Sequence, residues 1–237
     1  MLSIQKSFQI IQKTLYLVAT PIGHLQELTP RALEILKNSE LILCESVHSY
    51  QKLSSYFQIG KKSVISYNNL TEKNSYQTKK IIQKMLNYEK IVLVANAGYS
   101  LISDPGRILV SEWIALGNYV VPVSGSSAFL NSLVASGLYY HHFTFFGFLP
   151  RNNKKQQNLL LNYKSLPNAL VIYESSHRLL NTLNNVKLVL GNRLIAIGRE
   201  LTKLYEEFIR GSLEEMINYL QNNKLKGELT IIIGINQ

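Results

Sequence analysis

Leu15–Leu28 reads LYLVATPIGHLQEL, and its first half is an apolar run that stops at Thr20-Pro21. Leu15–Ala19 is too short for a helix and has the density of a strand buried on both faces. Beyond the loop, Thr29 can cap a helix with Pro30 at its first position, and Ala32, Leu33, Ile35 and Leu36 fall on one helical face. A strand therefore feeds a helix through a loop that holds a proline and a single glycine, Gly23. That is too little glycine to cradle a phosphate, and neither GxGxxG nor GxxxxGK[ST] occurs in the chain. The loop must serve something else.

The same alternation runs outward from it. Leu41–Cys44, Val64–Tyr67, Ile91–Ala95 and Tyr119–Val123 are further short apolar runs, with amphipathic stretches between them. Ser75–Leu86 sets Ile81, Ile82, Met85 and Leu86 against Lys79, Lys80 and Lys84, and Asp104-Pro105 is read as opening a helix that ends at Gly117. This half reads as an α/β open parallel sheet. The second half has a helix over 126–136, an aromatic strand over 143–149 and strands over 169–174, 194–198 and 228–235. Helices are expected over 179–190 and 212–220. Its crossovers are less regular, so a mixed sheet is expected. The chain divides into an N-terminal extension over 1–14, an α/β domain over 15–123 and a second α/β domain over 124–237, parted near PVSGSS.

Composition narrows the class. The 237 residues are 46% hydrophobic, enough for a real core. The single cysteine, Cys44, excludes a disulfide framework and reads as a buried structural thiol. The net charge of +10 suits a polyanion such as RNA, although richness in Lys, Asn, Ile and Tyr also follows from AT-rich coding. No run approaches the roughly 20 apolar residues of a membrane span, and the start lacks a secretory pattern, so a cytoplasmic protein with no membrane partner is expected. His24 and His48 lack a second-ligand pattern, and no metal is expected.

Ligands of open α/β sheets bind at the carboxyl ends of the strands. Four loops fall there: TPIGHL (20–25), CESVHS (44–49), NAGYSLISDPG (96–106) and SGSSA (124–128). If one sheet supplies all four, they converge. The second half adds YESSHR (173–178), RELTK (199–203) and KGE (226–228). Singly, each has a plain structural reading as a turn or a helix start, with Ser176 a possible cap. SGSSA does not meet the Gly-x-Ser-x-Gly elbow of serine hydrolases.

In order and together, these blocks resemble the tetrapyrrole methylase superfamily. Within it they are closest to the branch that methylates ribose 2′-hydroxyls of small-subunit ribosomal RNA. That family reads PTPIGNL, AEDTR, DAGTPLISDPG, PGPSA, YESPHR, RELTK and KGE, where this chain has ATPIGHL, CESVH, NAGYSLISDPG, SGSSA, YESSHR, RELTK and KGE. The likeness runs from about Leu15 to about Ile235. It implies a two-domain fold with a parallel N-terminal sheet, a mixed C-terminal sheet and a cofactor cleft between them. It implies S-adenosylmethionine as cofactor, held largely by main-chain atoms. A sulfonium compound with an amino-acid tail needs no phosphate cradle, and Gly23 and Gly98 would permit close backbone approach.

Carried over block by block, Pro21, Gly23, Ala97, Gly98, Leu101, Ile102, Ser127, Tyr173, Glu174, Leu201, Thr202 and Glu228 become candidate cofactor neighbours. The implied activity is 2′-O-methylation of a cytidine in 16S ribosomal RNA by a homodimer, with ribosomal RNA or the small subunit as partner. Glu45, Glu200 and Lys203 are candidates for the chemistry, and Arg151, Lys154, Lys155 and Arg178 for RNA phosphates. The alternatives are a small-molecule methylase of the same fold and a cofactor- or RNA-binding protein that has lost turnover. The departures motivate the second: Ser46-Val47-His48 replaces Asp-Thr-Arg, and Asn96 stands at an Asp. Tyr99-Ser100 replaces Thr-Pro, and Ser124 and Ser126 replace two prolines, which should loosen that loop.

Overall fold

The structure is a computed structural model and describes residues 4–8 and 13–235. Of the expected extension, residues 1–3 and 9–12 lie outside the described residues, as do 236–237 at the end of the final run. The chain forms two compact units, Met1–Ser127 and Ala128–Gln237.

The first unit is built on a five-stranded sheet in the order β3-β2-β4-β1-β5. Its strands are β1 (Thr14–Val18), β2 (Leu41–Cys44), β3 (Ser63–Ser66), β4 (Lys90–Val94) and β5 (Tyr119–Val123). Every pairing is parallel, so all carboxyl ends share one edge. Helices cover both faces, which is why the interiors of the central strands β1, β2 and β4 are almost wholly apolar, while the edge strand β3 keeps exposed serines at both ends. Tyr16, Val18, Ile42, Cys44, Val92 and Val94 pack towards α1 (Pro30–Asn38) and α2 (Val47–Phe57). Leu15, Leu41, Leu43, Ile91 and Leu93 pack towards α4 (Ser75–Met85) and α5 (Arg107–Ala115). Cys44 is buried as expected, and burial pushes its thiol up to about 11, which leaves it unreactive at neutral pH.

Three local readings differ from the sequence. CESVHS is not all loop: Ser46 caps α2, accepting from the Ser49 N–H at 3.3 Å, so Val47–Ser49 form its first turn. The short α3 (Asn69–Lys73) was not expected. Asp104-Pro105 does not open α5, whose N-cap is Gly106 at φ 138° with no capping side chain of its own. The cap comes from elsewhere. Glu72 on α3 accepts from the N–H groups of Gly106 and Ile108, both at 2.9 Å, placing a carboxylate against the positive end of the helix. Glu72→Ala is expected to cost about 1–3 kcal/mol, read as a lower urea midpoint with unchanged slope.

The edge strand β5 is partly covered. The Gln5 amide accepts from the Val120 N–H at 2.9 Å and donates to the Val120 carbonyl at 2.8 Å, copying a strand partner.

The second unit holds a mixed sheet in the order β6-β7-β10-β8-β9. Its strands are β6 (His142–Phe148), β7 (Asn168–Ser175), β8 (Leu194–Arg199), β9 (Glu207–Ser212) and β10 (Glu228–Ile233). β6 and β7 are parallel and the other pairs antiparallel. α6 (Ala128–Ala135) lies on one face. The main core, on the other, is closed by α7 (Asn153–Leu161), α8 (Leu179–Leu190) and α9 (Leu213–Asn222). α8 is not capped by Ser176; its N-cap is Arg178 and no side chain caps it. Among the described residues, no helix is long and apolar enough to cross a membrane, and no metal-ligating cluster occurs.

Candidate functional site

In the first unit, the four singled-out stretches follow β1, β2, β4 and β5, which are neighbours in the sheet, and hydrogen bonds stitch them together at its carboxyl edge. Thr20 and Gly98 form an antiparallel bridge, N–H to carbonyl at 3.0 Å in both directions. Gly98 sits at φ 72°, a left-handed backbone where any side chain would be strained. The Tyr99 hydroxyl accepts from the Gly125 N–H at 3.2 Å, and the Ser126 hydroxyl donates to Glu27 at 2.9 Å. Gly125 has its own reason to be glycine: a Cβ would lie 2.8 Å from Ala19 Cβ and 3.0 Å from its carbonyl oxygen.

The expected cofactor neighbours of this unit fall along the edge. Pro21, Gly98 and Ser127 are buried, Leu101 is half-buried, and Gly23, Ala97 and Ile102 are exposed. Leu101 holds φ 71°, a left-handed conformation that costs energy outside glycine and is characteristic of ligand-facing turns.

One carboxylate pair stands out here. Asn96 Nδ2 donates to Glu45 Oε2 at 2.6 Å. Asp104, near Glu45, has its carboxyl raised to about 6, first by burial and then by the Glu45 charge. The folded protein thus binds this proton more tightly than the unfolded chain, whose Asp titrates near 3.8. Stability contributed here falls as pH rises between those values, and the cost is fully present above about 6. Asp104→Asn is expected to stabilise the protein at pH 7.5, by up to about 1 kcal/mol after solvent screening, and by less at pH 4.5. Urea unfolding at both pH values checks this.

In the second unit, YESSHR, RELTK and KGE also meet at one end of a sheet. Glu228 pairs with Ser175 across β10 and β7, and Leu229 with Arg199 across β10 and β8. Glu200 and Thr202 both hold left-handed conformations, at φ 49° and 62°, around the buried Leu201. The turn is pinned by charge. Lys203 Nζ donates to Glu200 at 3.0 Å and to Glu228 at 2.9 Å, and Glu200 also accepts from the Glu228 N–H at 2.8 Å. That backbone bond, helped by Lys203, holds the Glu200 carboxyl below its usual range. Burial pulls the Lys203 ammonium down, but its bonds to Glu228 and Glu200 outweigh this and leave it raised.

Glu174 is buried and committed. It accepts from Thr182 Oγ1 at 2.6 Å and from the Ser175 N–H at 2.8 Å, and pairs with Arg178 Nε at 3.4 Å. The same Arg178 donates to the carbonyls of Leu149 and Pro150, at 2.9 and 3.3 Å. Tyr173 is half-buried against the rings of Phe145 and Phe148. Arg151, Lys154 and Lys155 are exposed at the start of α7, which Asn152 caps by accepting from the Lys155 N–H at 3.0 Å.

The pattern of the Tetrapyrrole (Corrin/Porphyrin) Methylases matches residues 14–217. The chain belongs to this family. Among its relatives, this methylase is 42% identical to the ribosomal RNA small subunit methyltransferase I of Halalkalibacterium halodurans, over 94% of this chain and 76% of that protein. It is 39% identical to the protein of that name in Bacillus subtilis, over 92% of this chain and 74% of that one. Solved structures share the fold at lower identity. A uroporphyrin III C-methyl transferase from Thermus thermophilus aligns with a TM-score of 0.63 at 18% identity, covering 92% of this chain and 96% of that one. Another structure of that Thermus transferase, complexed with S-adenyl homocysteine, aligns with a TM-score of 0.63 at 17% identity, over 93% of this chain and 97% of that one.

The places where this methylase departs from its family pattern have physical partners in the structure. Ser46 replaces an Asp but does the capping work that either residue does well. At position 96 an Asp would face the Glu45 carboxylate, whereas Asn96 offers it a donor. Tyr99 reaches Gly125, and Ser126 reaches Glu27, so the proline-poor fourth loop is tied by side chains in place of rings. Ser100 is different: its hydroxyl is buried without a hydrogen-bond partner, and nothing in the structure explains it. Glu27 and Glu72 escaped the sequence reading, because each acts on a residue far along the chain and no local pattern announces it.

Proposed function

We propose that this methylase transfers a methyl group from S-adenosylmethionine to the ribose 2′-hydroxyl of a cytidine in small-subunit ribosomal RNA. The substrate class rests on the names of the relatives at 39–42% identity, joined to a net charge of +10. The cofactor reading is carried by the stitched edge of the first unit. That edge offers the exposed main chain at Ala97 beside the Thr20–Gly98 bridge, the apolar surface of Ile102 and one carboxylate pair, with no phosphate-binding loop. Such a donor set fits a sulfonium nucleoside with an amino-acid tail.

S-adenosylmethionine would supply a methyl carbon already activated by its sulfonium. The chain's part is to position the acceptor and take its proton. The Glu45 carboxylate would take the proton that the hydroxyl releases as the 2′-oxygen accepts the methyl group from the cofactor, which would depart as a thioether. Glu45 suits the role because Asn96 orients it and, among the described residues, it makes no ion pair within 4 Å. Glu200 and Lys203 are scaffolding in this reading: one has a depressed affinity for protons, and the other is held as an ammonium with no lone pair free to take one. Leu201, Thr202 and Glu228 then hold the shape of that turn. The buried Glu174 fixes Arg178, whose guanidinium is spent on carbonyls and leaves phosphates to Arg151, Lys154 and Lys155.

The test is methyl transfer in vitro. Small-subunit ribosomal RNA and intact small subunits from a strain lacking the gene would be incubated with the protein and methyl-labelled cofactor, and the label mapped by mass spectrometry. A 2′-O-methylcytidine appearing at a single position is the expected result. Label in neither substrate, or label only on a base, overturns the reading.

A further inference from the structure

β6 carries an irregularity that decides where one aromatic side chain points. Its register with β7 shifts between Phe145 and Gly147, so that Phe145 pairs with Val171 and Phe148 pairs with Tyr173. Val171 lies in the cluster under α6, and Phe145 packs against that cluster. Phe146 instead joins the main core on the opposite face and meets Tyr163 edge-on. Without the shift, strict alternation would put Phe148 on the face opposite Phe145. With it, Phe148 comes to the face of Tyr173, ring centroids 5.8 Å apart and planes at 59°. Bulges of this kind re-aim side chains and gather beside functional sites.

The re-aimed ring is not part of the core. Phe148 is 59% exposed, at the carboxyl end of β6, the same sheet end where YESSHR, RELTK and KGE meet. Its surroundings are cationic. Three residues on is Arg151, then Lys154 and Lys155, all exposed and without an ion pair within 4 Å among the described residues. The connection is also held stiffly. Arg178 bonds the carbonyls of both Leu149 and Pro150, and is itself anchored by buried Glu174. An exposed aromatic on a rigid strand end, followed at once by three unpaired cations, is the arrangement that takes single-stranded nucleic acid: the ring stacks a base while the cations follow the backbone.

We propose that Phe148, backed by Tyr173, stacks an unpaired base of the RNA substrate, with Arg151, Lys154 and Lys155 on the adjoining phosphates. Arg178 acts as the positioning residue that sets this platform. This rests on the RNA reading above and extends it to a named subsite. The occupant is RNA rather than a second copy of this chain because the charged residues that directly follow Phe148, Arg151, Lys154 and Lys155, are all positive, and two such stretches would repel.

The experiment compares the wild type with Phe148→Ala and Phe148→Tyr, using small-subunit ribosomal RNA from a strain lacking the gene. RNA affinity, KM and kcat for methyl transfer, cofactor affinity by calorimetry and mass by light scattering would be measured. Phe148→Ala is expected to weaken RNA binding by about 10- to 100-fold. KM should rise, with cofactor affinity and thermal midpoint unchanged, and Phe148→Tyr should restore most of the loss. Lys154→Ala should instead flatten the salt dependence, by about 0.7 in log–log slope. Wild-type RNA affinity in Phe148→Ala, or a loss of RNA affinity that only accompanies a change from dimer to monomer, overturns the subsite. A wild-type protein that neither binds nor methylates the RNA overturns the parent reading instead, and cofactor affinity shows the protein was folded.

Discussion

Glu45→Gln is expected to slow methyl transfer by about 10²- to 10⁴-fold while leaving cofactor affinity within a few-fold of wild type. The substitution keeps the shape of the side chain and leaves an oxygen for Asn96, whose amide now donates to Glu45 at 2.6 Å. What it removes is the group that can take the proton of a weakly acidic hydroxyl. Because the expected loss lies in moving a proton, kcat and kcat/KM should fall together. A second signature follows from charge. Part of the elevation of the Asp104 carboxyl comes from Glu45, so Glu45→Gln should move that titration back down from about 6. Carboxylate-detected NMR would see it. The control is Glu200→Gln, where the carboxylate holds Lys203 and the Glu228 backbone. Its expected effect is on the stability of the turn, with the chemical step under saturating RNA within about tenfold of wild type. If Glu45→Gln turns over at wild-type rate, or Glu200→Gln suffers the larger loss of kcat, the assignment of the proton acceptor is wrong.

How the sequence announced this edge, and where it did not, follows from the range of the interactions. The buried strands were legible because parallel sheets covered on both faces leave no room for polar residues, and Leu41–Cys44 shows this as plainly as any stretch. The cap at Thr29 was legible because capping is local: the hydroxyl meets an N–H only three residues on, that of Ala32 at 3.2 Å. The cap on α5 was not. Asp104 had every local mark of an N-cap, but the helix begins later, and Glu72 reaches it across more than thirty residues of chain. Local propensity lost to a tertiary carboxylate already aimed at the helix end. The fate of the second loop was obscured by the same kind of ambiguity, since Ser46 reads equally as loop or cap until the helix behind it is seen.

The site residues divide along the same line. Glycines that need an unusual backbone, such as Gly98, show themselves by type, and the ordered blocks gave their places in the chain. The direction in which a charged side chain turns is not written in a block. Lys203 was a candidate for the chemistry, yet it lies between Glu200 and Glu228, because the left-handed backbone at Glu200 and Thr202 folds the turn back onto the start of β10. Phe148 was passed over for the opposite reason. On strict alternation from Phe145 it would point to the far face, and only the register shift before Gly147 reverses that.

Glu174→Ala is expected to destabilise the second unit by about 3–5 kcal/mol, the range found when one member of a buried pair is removed. The Glu174 side chain is wholly inaccessible to solvent and that of Arg178 is 20% exposed. Truncation would leave the guanidinium without its counter-charge and the buried hydroxyl of Thr182 without the acceptor it meets at 2.6 Å. The damage should spread along a polar ladder. Thr182 Oγ1 also accepts from Gln156, and Gln156 bonds Asn185, so the contact between α7 and α8 is laid on the same chain of hydrogen bonds. Glu174→Gln should cost less, about 1–3 kcal/mol, since its single amide oxygen can keep one of the two acceptors, Oε2 for Thr182 or Oε1 for the Ser175 N–H. Arg178→Ala should be comparably costly, because it leaves the inaccessible Glu174 carboxylate without its counter-charge, and the double variant should be less destabilised than the two singles summed, with a coupling of about 1–3 kcal/mol. The same cycle separates structure from binding. Arg178→Ala frees Leu149 and Pro150, so it should weaken RNA binding through loss of position, whereas Glu174→Ala read at a temperature where the unit stays folded should do the same by releasing Arg178. Glu174→Ala unfolding within about 1 kcal/mol of wild type would mean that the buried carboxylate is not holding α7 and α8 together.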